Sequence, residues 1–278
     1  MTTPIVSCTS GCSSGLGLAL VTTLAGRGGV HYAGLRNLAD ATRLPPGVIP
    51  LRLDVTRAED VAAAVSHIES EHGRLDLLVN NAGIQAVGPW ELVPVEVIRR
   101  VVEVNYLGAV QLTTRALPLL RRTGGGTIVF VSSLSGLVAL PADGVYAASK
   151  FALEAFAESL AAEVRRFQIR VLVVNPGGYA TELAGTAWRP DVTQAGPYRS
   201  LVEALAPKGG GTPAAAAAAE LLRILDQPDP SFHNAIDPTG RAVFRALAIG
   251  QDEARKAIAR HASGLGWWMD GEPAPPSS

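Results

Sequence analysis

The sequence predicts one α/β domain built on a doubly wound parallel sheet of about seven strands, with helices on both faces. Three observations predict it. Short β-branched and aliphatic runs alternate with longer helical patterns. Met1–Gly26 and Thr123–Ala142 carry no ionised side chain, as strands buried on both faces and their tight loops require. A glycine cluster falls between the first run and the first helical pattern. In order, Ile5–Thr9 reads as a strand and Gly15–Gly26 as a helix. Val30–Gly34 and Val48–Leu53 are strands around a short irregular stretch, followed by a helix at Ala58–Glu71. Leu75–Asn80 is the fourth strand, residues 94–122 hold one or two helices, and Thr127–Ser132 is the fifth strand. A long helix at Val145–Phe167 leads to a sixth strand, Ile169–Asn175. Further on, Ala214–Leu225 reads as a helix, Phe232–Ile236 as a seventh strand and 240–262 as helical. This is the βαβ succession of a Rossmann-type fold. No composition shift marks a second domain, so 1–262 is one domain with a substrate loop or lid at about 182–211, and 263–278 is a C-terminal extension.

Composition narrows the function classes. A chain of 278 residues buries a sufficient core without staples. Lys plus Arg is 24 against 25 for Asp plus Glu, a net charge of -1 that offers no global field to a polyanion or an acidic membrane, so nucleic acid is not an expected partner. Cys8 and Cys12 are too few for a disulfide framework or a four-ligand zinc site, so no metal is expected and a reducing cytoplasm is the expected setting. The uncharged stretches lack a basic leader and are broken by Gly, Ser and Pro, unlike a signal peptide or a membrane span.

The loop Ser10-Gly-Cys-Ser-Ser-Gly-Leu-Gly17 sets glycines 11, 15 and 17 between a strand and a helix. Small residues there let the backbone approach a pyrophosphate, which the helix N-terminus stabilises, and Ser13 and Ser14 add hydroxyl donors. A merely tight turn would use the same glycines. The spacing differs from Gly-x-Gly-x2-Gly, and no lysine follows as in a P-loop, so ATP hydrolysis loses support. After the second strand no acid stands to hold ribose hydroxyls; Arg36 is there instead, suited to a 2′-phosphate, which favours NADP(H) while leaving NAD(H) possible. A solvated surface arginine is the plain alternative. Asp54 either accepts from the adenine amino group or caps the helix after Thr56. In Asn80-Asn-Ala-Gly83, Asn81 ties strand ends while Ala82 and Gly83 keep the backbone clear, unless the segment is a plain Asx-turn.

Tyr146-Ala-Ala-Ser-Lys150 sets a phenol and an ammonium four residues apart, on one helix face. A phenol with a pKa near 10 becomes an acid-base group at neutral pH when a cation favours the phenolate. Ser133, at the C-terminal end of the fifth strand, suits hydrogen bonding to a carbonyl or alkoxide. Singly, each reads as a surface aromatic, a solvated lysine or a turn serine.

With Asn105, Asn80-Asn-Ala-Gly83 and Asn175-Pro-Gly177 added, residues 4–181 resemble a short-chain dehydrogenase/reductase, and the wording around Tyr32–Arg36 and Leu140–Glu154 is similar to the 17β-hydroxysteroid and retinol dehydrogenase branch. The resemblance implies a catalytic set of Asn105, Ser133, Tyr146 and Lys150, with Asn105 holding a proton-relay water. It implies cofactor contacts at Gly11, Ser13, Ser14, Gly15, Leu16, Gly17, Arg36, Asp54, Val55, Asn81, Ala82, Gly83, Tyr146, Lys150, Pro176, Gly177 and Thr181. It further implies NADP(H)-linked interconversion of a moderately apolar carbonyl and its alcohol, in a homodimer or homotetramer. An NAD-dependent alcohol dehydrogenase, or a catalytically silent dinucleotide-binding regulator, is the alternative. Substrate specificity falls after Thr181, where the likeness fades; Leu134, Leu140, Tyr179, Leu183 and Trp188 are candidate pocket walls, and Trp267 with Trp268 is a candidate cover.

Overall fold

The computed structural model describes residues 4–177, 179–180, 182–205, 212–249, 266–269 and 272–273. β1 (Val6–Ser10) leads through the glycine loop into α1 (Gly15–Ala25), then β2 (Val30–Leu35), β3 (Val48–Arg52), α2 (Ala58–His72) and β4 (Leu77–Asn80). α3 (Val95–Val102) passes through a π-turn at Glu103–Leu107 into α4 (Gly108–Arg122), followed by β5 (Gly126–Val131), α5 (Gly144–Val164) and β6 (Ile169–Asn175). Then come β7 (Tyr179–Ala180), α6 (Glu182–Gly185), α7 (Arg199–Ala204), β8 (Thr212–Pro213), α8 (Ala214–Leu225), β9 (His233–Ala235) and α9 (Pro238–Ile249). The expected strands and helices therefore form, with ends moved by a few residues. The helix expected at 240–262 starts at Pro238, and its part beyond 249 lies outside the described residues.

Seven parallel strands pair in the order β3-β2-β1-β4-β5-β6-β9, reversing direction between β1 and β4. Strand periodicity sorts the core into two layers. On β5, Ile128 and Phe130 pack with Ile68 of α2, Leu112 of α4 and Leu153 of α5. The intervening Val129 and Val131 join Leu20 and Leu24 of α1 and Leu221 of α8 on the other face. With helices on both sides, every residue of β1 and β4 is buried, which is why these strands read as uncharged runs rather than alternating ones. Ala109, Leu112 and Ala116 of α4 and Leu153 and Leu160 of α5 are spent on the sheet, and Phe156 packs against it. No helix of the described residues is long and apolar enough to cross a membrane.

The segment after β6, expected as a substrate loop or lid, is in its described part tied to the loop after β4. Ala86 and Trp188 form a parallel bridge, with Val87 N donating to Trp188 O at 2.9 Å and Trp188 N to Gln85 O at 3.0 Å. Trp188 thereby packs beside Ala86, Val101 and Val145, and Leu201 and Val202 of α7 are buried. The large indole supplies apolar area for this anchoring, so the described part of 182–211 is folded against the post-β4 loop; residues 206–211 lie outside the described residues. Most of the C-terminal extension and the Trp268 side chain also lie outside them, whereas Trp267 sits in a single helical turn, Gly266–Met269.

Candidate active site

The site lies where the strand order reverses, at the carboxyl ends of β1 and β4. Gly11 has φ +71°, and a Cβ there would stand 2.8 Å from Ala82 Cα, so only glycine lets the loop turn this tightly against Ala82. A Cβ on Gly17 would meet Gly11 O and Asn81 Nδ2. The loop is tied from the far side: Ser10 Oγ accepts from Asn81 N and Ala82 N, both at 3.0 Å, and Asn81 Nδ2 donates to Ser10 O at 2.9 Å and Gly11 O at 3.0 Å. Asn81 does tie the two strand ends. Ser14 precedes α1 in extended conformation without a side-chain cap, and no acid stands in the first turn. The Gly15, Leu16 and Gly17 amides begin a helix end left open to an anion, a cradle that fits a dinucleotide pyrophosphate.

Around this cradle the expected residues divide. Arg36 is exposed at the end of β2, close enough to Asp54 to act on its charge. Asp54 Oδ1 accepts from Thr56 N at 3.0 Å and Thr56 Oγ1 at 2.7 Å. Although burial raises its pKa, these bonds, with Arg100 and Arg36, hold it below the usual carboxylate value. The carboxylate closes a turn and does not cap α2, whose N-cap is Arg57. Ser13 and Ser14 are partly exposed, and Arg43 Nη1 donates to Ser13 O at 2.8 Å while Nη2 pairs with Glu182 Oε1 at 3.0 Å. Val55 is buried in the core. Thr181 lies outside the described residues.

The π-turn gives Asn105 its place: the extra residue re-aims the side chain inward. Asn105 is 1% exposed; its Nδ2 donates to Ile84 O and Ser149 Oγ, each at 2.9 Å, and its Oδ1 accepts from Ile84 N at 2.8 Å. Ser149 Oγ in turn donates to Tyr146 O at 2.7 Å. A Cβ on Gly83 would lie 3.4 Å from Asn105 Oδ1 and 3.7 Å from Lys150 Nζ, so the post-β4 loop meets both residues there. Lys150 is 3% exposed, donates to Val131 O at 2.8 Å and stands 5.6 Å from the Tyr146 ring centroid. Burial lowers its pKa to about 8, against an opposing pull from Glu154.

Tyr146 is buried, and burial foremost, then the charge of Asp143, raises its pKa; a hydrogen bond with the Ser133 side chain pulls the other way. Ser133, at the end of β5, also accepts Ser135 N at 3.1 Å. The four expected catalytic residues therefore come together: Lys150 lies over the Tyr146 ring, Asn105 reaches Tyr146 O through Ser149, and Ser133 stands close enough to lower the phenol's pKa. Pro176 O accepts from Leu134 N at 3.1 Å, and Gly177 N donates to Asp237 Oδ2 at 2.7 Å, which fixes the strand β6 exit beside Ser133.

Several supporting residues escaped the sequence reading. Asp237 also accepts from Gly240 N at 2.8 Å, capping α9; the Asp-Pro pair opening that helix was its signal. Glu154, one turn beyond Lys150, binds Asn175 Nδ2 at 2.6 Å and His233 Nε2 at 2.9 Å, and Asn175 Nδ2 reaches Ser133 O at 3.2 Å. Its signal was the i, i+4 spacing. Asp143 and Arg43 gave none, because their partners are distant in sequence.

Comparison with known proteins agrees with this geometry. The short chain dehydrogenase family model matches residues 6–191. Bovine (Bos taurus) retinol dehydrogenase 8 is 40% identical over 187 residues, covering 63% of this chain and 59% of the relative. Human (Homo sapiens) 17-beta-hydroxysteroid dehydrogenase type 1 is 38% identical over 181 residues, covering 60% of this chain and 55% of the relative. The matches thus span less than two thirds of those relatives. A solved short chain dehydrogenase from Burkholderia cenocepacia, in complex with NADP, superimposes with TM-score 0.77 at 27% identity, covering 92% of this chain and 98% of that one. A 3-ketoacyl-(acyl-carrier-protein) reductase from Brucella melitensis, complexed with NADH, does so with TM-score 0.72 at 26% identity over 85% of this chain and 98% of that one. Similar structures thus bind either dinucleotide. With the glycine cradle, the switch-point crevice and the buried Tyr146, Lys150 and Asn105 cluster in place, the chain belongs to the short chain dehydrogenase family.

Proposed function

We propose that the protein is an NADP(H)-dependent oxidoreductase that interconverts a ketone or aldehyde with its alcohol on a moderately apolar small molecule. The observation that carries this reading is the buried placement of Tyr146 with Lys150 over its ring and Ser133 beside it, at the carboxyl ends of the central strands near the glycine loop. Gly11, Gly15, Leu16 and Gly17 would hold the pyrophosphate, Ser13, Ser14, Arg36, Asp54, Val55, Asn81, Ala82 and Gly83 the adenosine side, and Pro176, Gly177 and Thr181 the nicotinamide side. The bound dinucleotide supplies the hydride. In reduction Tyr146 gives its phenolic proton to the substrate oxygen, and Ser133 donates a hydrogen bond to the charge developing there. Oxidation reverses both roles. Lys150 carries its charge below about pH 8, so up to that pH it favours the phenolate and grips the cofactor ribose. Asn105, held by Ile84 and Ser149, keeps one acceptor position on Oδ1 for a relay water.

NADP(H) is favoured by the exposed Arg36, and the apolar substrate by the retinol and 17-beta-hydroxysteroid relatives. The buried thiols of Cys8 and Cys12 agree with a cytoplasmic setting, and the exposed Leu107 and Phe151, beside α4 and on α5, with assembly as a homodimer or homotetramer. The test is NADPH absorbance with retinaldehyde, a 17-ketosteroid and short aliphatic ketones and aldehydes. Oxidation of NADPH on at least one, faster than with NADH, is expected. Cofactor binding without turnover across the panel would leave only dinucleotide binding, and faster turnover with NADH would reverse the cofactor preference.

A further inference from the structure

Asp143 precedes α5 at its N-cap position, where an aspartate ordinarily accepts an amide of the first turn. Here it makes no side-chain cap bond. Its carboxylate turns inward, where it is 8% exposed, and accepts from Gln85 Nε2 at 2.8 Å and Ser135 Oγ at 2.6 Å. The backbone is bent to put it there. Ala142, just before it, has φ +62°, a left-handed conformation rare outside glycine, and is pinned by Gly88 N donating to Ala142 O at 2.7 Å. A buried carboxylate whose bonded partners are uncharged is costly to desolvate. Helix capping does not explain this expense, because the cap is not made.

The groups around it define what its charge can act on. The post-β4 loop presents Gln85, and the turn after β5 presents Ser135, both uncharged. On α5 the titratable groups of the buried face are Tyr146, Lys150 and Glu154. Tyr146 stands within the field of Asp143, which opposes its ionisation, and Glu154 acts on Lys150 in the same way that favours the charged ammonium. Two carboxylates thus flank the Tyr-x3-Lys pair along one helix.

We propose that Asp143 is a positioning residue of the site, a buried carboxylate that joins the post-β4 loop and the post-β5 turn to the start of α5, three residues before Tyr146. The inference rests on the acid-base reading of Tyr146. Its consequence is that the proton-bearing phenol, the form able to donate to a carbonyl oxygen, persists to higher pH than Lys150 and Ser133 alone would allow. Asp143 itself has its pKa raised by burial to about 6, so this restraint is present above that pH and lost below it.

The experiment is the pH profile of kcat/KM for NADPH-dependent reduction of whichever carbonyl of the panel is turned over, in the full chain. Asp143→Asn keeps the shape and removes the charge, Asp143→Ser is a smaller neutral residue suited to the N-cap, and Asp143→Glu restores the charge. In both neutral variants the alkaline limb should move to lower pH by on the order of one unit, and in D143E it should stay near that of the parent. The Tyr146 ionisation, followed with cofactor bound as tyrosinate absorbance after subtraction of the matching Y146F protein, should move the same way. An unshifted limb with a rate lowered equally at every pH, the mark of a tie that only holds loops together, overturns the proposal. Turnover surviving in Y146F would instead overturn the acid-base reading, and the absorbance shift alone would then decide the effect of Asp143 on the phenol.

Discussion

At the closed end of the crevice, Asn105, Ser149, Lys150 and Asp143 are between 1% and 8% exposed, and each is hydrogen-bonded to protein groups. At the rim beside the glycine loop and the end of β2, Arg43 and Glu182 pair with side chains 47% and 56% exposed, and Arg36 stands in solvent. The difference is one of dielectric as much as of geometry. Inside, a charge or hydrogen bond acts strongly and a lost partner is costly; at the rim, water and salt compete for every contact. On the proposed reading, chemistry falls at the first location and cofactor choice at the second, where a charge can be exchanged without disturbing the fold.

Substitutions at the two ends should therefore differ in kind and size. Tyr146→Phe should give the largest effect, a fall in turnover of about 10²–10⁴-fold, with cofactor affinity measured by fluorescence titration changed by less than about threefold. Near-parental turnover would remove the chemical meaning of the buried end. Asn105→Ala breaks three hydrogen bonds, one buried and two part-buried, and should cost roughly 2–3 kcal/mol, read as a melting temperature lower by about 5–10 °C. A change within 2 °C would erase the contrast in stability. Arg36→Ala should raise the KM for NADPH about tenfold and leave that for NADH alone, with little change in melting temperature. The smallest effect is expected for Glu182→Gln, which breaks the Arg43 pair and should move the melting temperature by less than about 2 °C. A larger drop there would mean that the rim is held more tightly than its exposure suggests.

Legibility in the sequence follows the same division. Strands and helices could be read because each is specified locally: apolar runs buried on both faces for β1, β4, β5 and β6, and repeating apolar positions for α2, α4 and α5. The cradle could be read because Gly11 needs positive φ and close approach within one short loop. Tyr146 and Lys150 could be read because helix geometry alone sets them on one face. The anchoring of Trp188 through the Ala86 bridge could not, since its partner lies about a hundred residues earlier and no local pattern signals the pairing. Asp54 could be read as an adenine acceptor or a cap of α2, and the turn that it closes with Thr56 was in neither reading.

By itself the sequence determined the α/β alternation, the glycine cradle and the presence of a phenol, an ammonium and a hydroxyl at suitable spacing, because helix periodicity, strand burial and positive φ act within a few residues. Tertiary structure alone decided what surrounds them. It brought Gln85 and Ser135 to Asp143, Ile84 to Asn105, and Asn175 and His233 to Glu154, and it buried Asp143, Asn105 and Glu154 where water screens them little. Proton affinities depend on that burial and on neighbours distant along the chain, so the Tyr-x3-Lys spacing could be read from the sequence while the surroundings that shift both groups could not.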